Sequence, residues 1–120
     1  MLNLDTHVLL NALEGDLRPR ERALLRDRWS ISAIVLWEIA KLSELGRIGL
    51  TLDHRGLTRV LERIQIWPIS LEVCRALSRL DFESDPADEL IAATSLVHGV
   101  PLLTRDRRIR GSKVVPLAIG

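Results

Sequence analysis

Short apolar runs alternate along the chain with longer segments in which apolar residues recur every three or four positions. The runs "MLNL", "RWSIS", "IQIWPI", "VPLLT" and "KVVPL" are typical of buried strands, which in a parallel sheet are apolar on both faces. The segments between them, such as "THVLLNALEG" and "AIVLWEIAKLSEL", are typical of helices. This alternation predicts a three-layer α/β/α sandwich with a central parallel sheet of four to five strands.

The ends of the predicted helices carry residues that helix ends prefer. Glycine closes three of them, at Gly15, Gly46 and Gly99, and proline opens two, at Pro19 and Pro86. Side-chain caps are expected at Ser32, Ser70 and Asp85. The helix that Pro19 opens is predicted over about residues 19–27, and another helix is predicted over about residues 53–63. No linker or repeat interrupts the pattern, so we predict one domain over residues 1–120.

The composition, 47% hydrophobic and 28% charged, is that of an ordinary globular protein. Cys74 is the only cysteine, which excludes a disulfide framework and a thiolate metal site, and we expect it to be a small core residue. The start "MLNLDTHVLL" has no basic segment of a signal peptide, and no apolar run is long enough to cross a membrane. We therefore expect a cytoplasmic protein without a membrane partner.

Arginine dominates the basic residues, since only Lys41 and Lys113 among the seventeen are lysines. Guanidinium groups suit bidentate contact with phosphate. The first cluster contains Arg18, Arg20, Arg22, Arg26 and Arg28, and the second contains Arg105, Arg107, Arg108 and Arg110. Acidic residues dilute the first cluster, for which a solvated surface and phosphate contact remain equal alternatives. The second cluster favours phosphate contact.

Asp5 follows the first predicted strand and Asp106 follows the fourth. Glu38 lies in the helix after the second strand, and Asp88 lies in the first turn of the helix that begins at "DPADEL". Ligands of parallel sheets bind at the carboxyl ends of the strands, where these four side chains are expected. Carboxylate oxygens suit Mg²⁺ or Mn²⁺, whereas histidine and cysteine suit zinc. Glu38 lies in the otherwise apolar run "AIVLWEIA", and a divalent cation would explain a carboxylate in such a place.

Each of the four acids also has a purely structural interpretation. Asp5 could cap the first helix, and the third acid could form a variant capping box with Asp85. Glu38 could pair with Lys41 one turn further on, and Asp106 could be a turn residue among arginines. An accidental meeting of all four acids at one edge of the sheet is much less expected than any single alternative.

The motifs "LDTHVLL", "SAIVLWEIAKL", "DPADELIAATSLVHGVPLLTRD" and "RRI" resemble a PIN domain, in particular the VapC-type toxins of toxin–antitoxin pairs. The resemblance covers essentially the whole chain and keeps the order and spacing of the motifs. It implies that Asp5, Glu38, Asp88 and Asp106 form the acidic quartet that binds Mg²⁺ or Mn²⁺, with the first, third and fourth acids as the more direct ligands. It also implies supporting hydroxyls at Thr6 and Thr104, and a sheet with the first strand in a central position.

The same resemblance implies an endoribonuclease that leaves a 3′-hydroxyl and a 5′-phosphate. It implies two partners, an RNA substrate and a cognate VapB-like antitoxin, which places an arginine or lysine in the acidic pocket. The second arginine cluster then supplies the candidate RNA-binding residues, Arg105, Arg107, Arg108 and Arg110. A homodimer formed through the early helices is also implied. Leu24, Leu25 and Trp37 could belong to that interface or to the core, and the sequence pattern does not distinguish the two.

One departure from the family is visible, because many relatives carry arginine directly after the third acid, where this chain has Glu89. Asp85 is expected to be a helix cap and not a metal ligand. We expect His7 and His98 to have no chemical role. The aromatic residues are expected in the core and not as base-stacking platforms; they are Trp29, Trp37, Trp67 and Phe82.

Two other classes of protein remain as alternatives. A phosphoacceptor receiver module would need paired acids after the first strand and a lysine near the end, but "NLDT" and "LLTRD" offer neither. A catalytically inactive PIN-like binding or assembly module would keep the fold without turnover. The presence of all four acids argues against that second alternative but does not exclude it.

Overall fold

The computed structural model describes residues 1–118 and contains one parallel sheet of four strands in the order β3-β2-β1-β4. The strands are β1 Leu2–Leu4, β2 Trp29–Ser32, β3 Gln65–Trp67 and β4 Leu102–Leu103. The helices are α1 Thr6–Glu14, α2 Pro19–Leu24, α3 Ile34–Glu44, α4 Arg55–Leu61, α5 Leu71–Ala76, α6 Pro86–His98 and α7 Arg107–Arg110. A parallel sheet covered by helices confirms the predicted α/β/α sandwich. The last two residues of the predicted domain, 119–120, lie outside the described residues.

The first strand lies inside the sheet, between β2 and β4. The chain moves outward from β1 to β2 and β3, and then returns to the other side of β1 to form β4. The order of strands therefore reverses between β1 and β4, where α/β proteins commonly bind their ligands. Asp5 directly follows β1 and Thr104 directly follows β4, so both lie at this reversal.

The predicted fifth strand, "KVVPL", is reduced to a single bridge between Leu117 and Leu102. The Leu102 amide donates to the carbonyl of Pro116 at 2.8 Å, and the Ala118 amide donates to the carbonyl of Leu102 at 3.0 Å. Pro116 has no amide hydrogen, so it cannot donate to a strand ladder, which explains why this segment does not extend the sheet.

The core contains side chains from the sheet and from the helices packed on it. Leu4, Leu9, Ile31 and Ile39 are completely buried and belong to one cluster. Asn3 is the polar exception at the centre of β1: its Nδ2 donates to Ser95 Oγ at 2.9 Å, and its Oδ1 accepts from Ser30 Oγ at 3.3 Å. A buried amide with such partners links β1 to β2 and α6 without leaving an unsatisfied polar group.

Several helices are shorter than the sequence pattern predicts. The second helix ends at Leu24 and not near Asp27, and the helix predicted over 53–63 spans Arg55–Leu61. The short helix α7 was not predicted. The longest helix, α6, has 13 residues, and no helix in residues 1–118 is long and apolar enough to cross a membrane.

Two side chains expected in the core are exposed instead. Helix α5 buries Val73 and Ala76, which are three positions apart, so Cys74 lies on the opposite face and is exposed. Helix α3 buries Val35 and Ile39, and Trp37, midway between them, is 54% exposed. In both helices the spacing of three to four residues predicts which side chains are buried better than the apolar character of the neighbouring residues does.

Candidate functional site

A cavity of about 590 Å³ lies at the carboxyl ends of the strands. Its lining consists of Asp5, His7, Asn11, Glu38, Asp85, Asp88, Arg105 and Asp106. All four acids singled out in the sequence are among these residues, although they come from four separate parts of the chain. Five carboxylates face one guanidinium group, so the lining is strongly negative.

Asp5 is the most enclosed of the four acids, with 5% of its surface exposed. Its Oδ1 accepts a hydrogen bond from the amide of His7 at 2.9 Å, which makes Asp5 the N-cap of α1. Its Oδ2 accepts from the Thr104 hydroxyl at 2.6 Å. The capping interpretation is therefore right, and it is compatible with a place in the cavity.

Glu38 is held in the cavity by the hydroxyl of Thr6, which donates to its Oε1. Burial raises the pKa of the Glu38 carboxyl, and the negative charge of Asp5 raises it further, while the bond from Thr6 opposes this shift. Lys41 pairs instead with Glu44, at 3.4 Å, so the alternative of a Glu38–Lys41 pair is wrong.

Asp88 lies in the first turn of α6 and accepts a hydrogen bond from the Ser84 hydroxyl at 3.1 Å. Its pKa is raised to about 6, first by burial and then by the negative charges of Asp5, Glu38 and Asp106. These carboxylates are therefore close enough to repel one another. Mutual repulsion among several carboxylates is typical of a site that binds a positively charged ligand.

Asp85 occupies the N-cap position of α6, but its side chain makes no capping hydrogen bond, so the expected side-chain cap is wrong. Its carboxylate joins the lining of the acidic cavity instead. Glu89 turns back to the start of the helix, where its Oε2 accepts from the amide of Ser84 at 3.0 Å. The residue that departs from the family pattern thus stabilises the turn before α6 and is not part of the cavity lining.

Asp106 caps α7, because its Oδ1 accepts from the amides of Arg108 and Ile109 at 2.8 and 3.2 Å. Its own amide donates to the hydroxyl oxygen of Thr104 at 3.0 Å. The same hydroxyl donates to Asp5, so Thr104 connects the first and fourth acids across the reversal in strand order.

Replacing Thr104 with valine is expected to lower the free energy of unfolding by about 1–3 kcal/mol. Thr104 is 4% exposed, and its removal leaves a buried carboxylate oxygen and a backbone amide without partners. Urea unfolding of Thr104→Val and Thr104→Ser checks this, since serine keeps the hydroxyl. Equal stability of the two variants would contradict the role assigned to the hydroxyl.

The four candidate RNA-binding arginines differ in their surroundings. Arg105 is engaged in a bidentate ion pair: its Nε and Nη2 donate to the two carboxylate oxygens of Glu21 at 2.8 and 2.6 Å. Glu21 is 2% exposed, and this pair lowers its pKa to about 2. The other three candidates, Arg107, Arg108 and Arg110, are exposed.

Three residues of this region were not assigned a role from the sequence. His7 and Asn11 line the cavity. Their spacing of four residues places them on one face of α1, the helix that Asp5 caps, so the sequence could have predicted that they lie near Asp5. Glu21 is at the third position of α2 and accepts from the amide of Arg18 at 2.8 Å, as a capping glutamate does. Its partner Arg105 is 84 residues away in sequence, and no local pattern predicts such a pair.

The donor set fits a hard divalent ion such as Mg²⁺ or Mn²⁺, since five carboxylates supply oxygen, His7 is the one imidazole of the lining, and no cysteine is present there. Within residues 1–118, no three acidic, histidine or cysteine side chains already converge closely enough to hold an ion. Like charges keep apart unless a cation lies between them. Small side-chain rotations would therefore accompany metal binding at this cavity.

Comparisons with known proteins agree with this architecture. The family model of the PIN domain matches residues 3–112. Ribonuclease VapC22 of Mycobacterium tuberculosis (strain ATCC 25618 / H37Rv) is 36% identical over 90 residues, which cover 72% of this chain and 69% of that protein.

Two solved structures show the same fold. The crystal structure of VapBC2 from Rickettsia felis, bound to a DNA fragment from their promoter, matches with a TM-score of 0.74 at 18% identity, over 98% of this chain and 97% of that chain. A toxin–antitoxin complex from Klebsiella pneumoniae matches with a TM-score of 0.68 at 21% identity, over 92% of each chain. With the family model and the curated relative, the conclusion is that this chain belongs to the PIN domain family.

Proposed function

We propose that the protein is an Mg²⁺-dependent endoribonuclease, with Mn²⁺ able to substitute, and that it is the VapC-type toxin of a toxin–antitoxin pair. One observation carries the proposal: four acids from separate parts of the chain line one cavity at the switch point of the sheet. The relative named Ribonuclease VapC22 supports RNA as the substrate.

In this proposal Asp5, Glu38, Asp88 and Asp106 hold the divalent ion. When bound, the ion supplies Lewis-acid chemistry, which neutralises charge on the phosphodiester and favours deprotonation of the attacking water. Asp88 Oδ1, Glu38 Oε2 and Asp106 Oδ2 accept no hydrogen bond from residues 1–118, whereas the other oxygen of each is held by the protein. These three oxygens are the atoms that can turn toward a cation.

The surrounding residues keep the carboxylates in position before substrate arrives. Thr104 fixes Asp5, Thr6 fixes Glu38, and the Ser84 hydroxyl fixes Asp88. Such preorganisation reduces the reorganisation needed when charge develops on the phosphate. In this scheme water attacks the phosphodiester, and no side chain or ribose 2′-hydroxyl acts as the nucleophile. The 3′-oxygen leaves, which gives the 3′-hydroxyl and 5′-phosphate that the family resemblance implies.

A VapB-like antitoxin is the proposed partner that controls the enzyme. The solved relatives from Rickettsia felis and Klebsiella pneumoniae are toxin–antitoxin assemblies, and a negative cavity complements a basic side chain from such a partner. A homodimer is proposed through the early helices. Trp37, 54% exposed on α3, lies in the region assigned to that contact, whereas Leu24 and Leu25 are partly buried against the core.

RNA cleavage tests the function and separates it from the inactive-module alternative. The parent chain should cut total cellular RNA at discrete positions with Mg²⁺, and sequencing of the new 5′ ends should find 5′-phosphates. Cleavage should be lost with EDTA and in Glu38→Gln, and it should persist in Glu14→Gln, a matched change of an exposed glutamate. A folded parent that cuts no RNA, or variants that all cut equally, would favour the binding module.

A further inference from the structure

A second cavity, of about 220 Å³, lies beside the acidic one. Its lining consists of Arg18, Arg20, Glu21, Thr104, Arg105 and Arg110. Arg105 lines both cavities, so the two are neighbours. Thr104, which lines the second cavity, donates its hydroxyl hydrogen to Asp5 in the first.

The charge of the second cavity is opposite to that of the first, with four arginines against one glutamate. Both oxygens of Glu21 are engaged by Arg105, and Glu21 also accepts from the backbone amide of Arg18. None of the guanidinium groups of Arg18, Arg20 and Arg110 forms a salt bridge with any of residues 1–118, so their charges can act on an incoming anion.

We propose that this second cavity is a phosphate subsite, which holds a backbone phosphate of the RNA beside the phosphodiester that is cut. The proposal rests on the proposed ribonuclease function and adds a binding site to it. An acidic cavity repels a polyanion, so a neighbouring positive cavity is needed to hold the strand across it. Arginine offers a planar fork that matches phosphate oxygens, and such contacts position a strand without selecting its sequence.

The buried ion pair gives this subsite a fixed wall. Arg105 reaches from the loop after β4 to Glu21 in α2, and its Nη2 also donates to the carbonyl of Asp16, in the loop before α2, at 3.0 Å. Arg18 and Arg20 come from the beginning of α2, and Arg110 comes from the end of α7. The pair therefore joins α2, which contains Arg20, to the loop that leads into α7, which contains Arg110.

Binding of RNA without cleavage tests the subsite directly. The probe is a fluorescein-labelled, single-stranded uridine 12-mer in EDTA, measured by fluorescence anisotropy at several salt concentrations. The double variant Arg20→Gln/Arg110→Gln is compared with Arg22→Gln/Arg26→Gln, which removes the same charge from exposed arginines outside the cavity lining. We expect the first to bind about tenfold more weakly or worse, and the second to lose much less.

The salt dependence gives a second readout of the same contact. The slope of log affinity against log salt should fall by about 0.7 for each phosphate no longer held, and this should occur in the cavity pair only. The variant Arg20→Lys/Arg110→Lys keeps the charge but loses the fork, and intermediate binding is expected. Equal losses in the two glutamine pairs would overturn the subsite in favour of diffuse surface charge.

An acidic protein segment is the competing occupant, and deca-glutamate is its probe. If deca-glutamate displaces the RNA at similar concentrations and loses as much affinity in the cavity pair, the phosphate assignment is overturned. The subsite and the function can fail separately. RNA binding that needs the cavity arginines in a chain that never cuts would overturn the function alone, whereas cleavage with an unchanged KM in the cavity pair would overturn the subsite alone.

Discussion

Asp88→Asn is expected to lower metal-dependent RNA cleavage by at least about 10²-fold without destabilising the fold. The substitution removes a proposed ligand, and loss of even an outer partner of a metal site commonly costs about 10–100-fold. Asparagine can still accept the hydrogen bond from Ser84, so local structure is retained. Asp53→Asn, at an exposed loop position, is the matched control. Full activity of Asp88→Asn would contradict the proposed metal site.

The same variant has a second expected effect, on stability measured in EDTA. The folded state raises the pKa of Asp88 from 3.8 to about 6, so between these values the folded chain binds more protons than the unfolded chain. Stability therefore falls as pH rises through this window. Neutral asparagine avoids that loss, and allowing for partial solvent screening we expect Asp88→Asn to be about 1–2 kcal/mol more stable at pH 7.

Urea unfolding at pH 4 and pH 7 measures this difference. The parent and Asp88→Asn should have nearly equal stability at pH 4, where the folded parent already carries the proton, and should diverge at pH 7. Divergence in the opposite direction, with the parent more stable at pH 7, would contradict the mutual repulsion of the acids.

Glu21→Gln is expected to lower the free energy of unfolding by about 2–3 kcal/mol at pH 7, the largest loss we expect from a single charge. Glu21 is 2% exposed, and its removal leaves the guanidinium of Arg105 without its bidentate partner. Breaking a buried pair typically costs about 3–5 kcal/mol, and Arg105, 27% exposed, recovers part of this through water. Glu14→Gln, on the exposed end of α1, is the control and should change little.

The pH dependence of this difference has a defined sign. The folded state lowers the pKa of Glu21 from 4.5 to about 2, so the stabilisation is complete well above pH 4.5 and is lost as pH falls toward 2. About 1 kcal/mol of the difference should be gone by pH 4 and about 2 kcal/mol by pH 3. A difference between parent and Glu21→Gln that is constant from pH 7 to pH 3 would show that the loss comes from packing and not from charge.

The sheet and the position of the four acids were predictable because they depend on local patterns. Apolar runs mark strands, and the carboxyl ends of parallel strands meet at one edge, so Asp5 and Asp106 were expected near each other. Glu38 was recognisable because a carboxylate in an apolar helix face needs a partner or a cation. The end of the sheet was less predictable, since Pro116 limits the last segment to one bridge.

The contacts that hold the site together could not be predicted, because they join distant parts of the sequence. Thr104 reaches Asp5 across 99 residues, and Arg105 reaches Glu21 across 84 residues. The first contact depends on the pairing of β1 with β4, and the second on how α2 approaches the loop after β4. No periodicity in the sequence encodes either arrangement. The second cavity has the same origin, since Arg18 and Arg110 meet only in the folded chain.

Calorimetric titration with Mn²⁺ tests whether the separated acids form one divalent metal site. The parent is compared with Asp5→Asn, Asp88→Asn and the exposed control Asp53→Asn, with the fold of each checked by circular dichroism. We expect the parent and the control to bind Mn²⁺, and both cavity variants to bind it at least about tenfold more weakly. Equal, weak binding by all four chains would contradict the proposed metal site, and the acids would then be helix caps and surface charges.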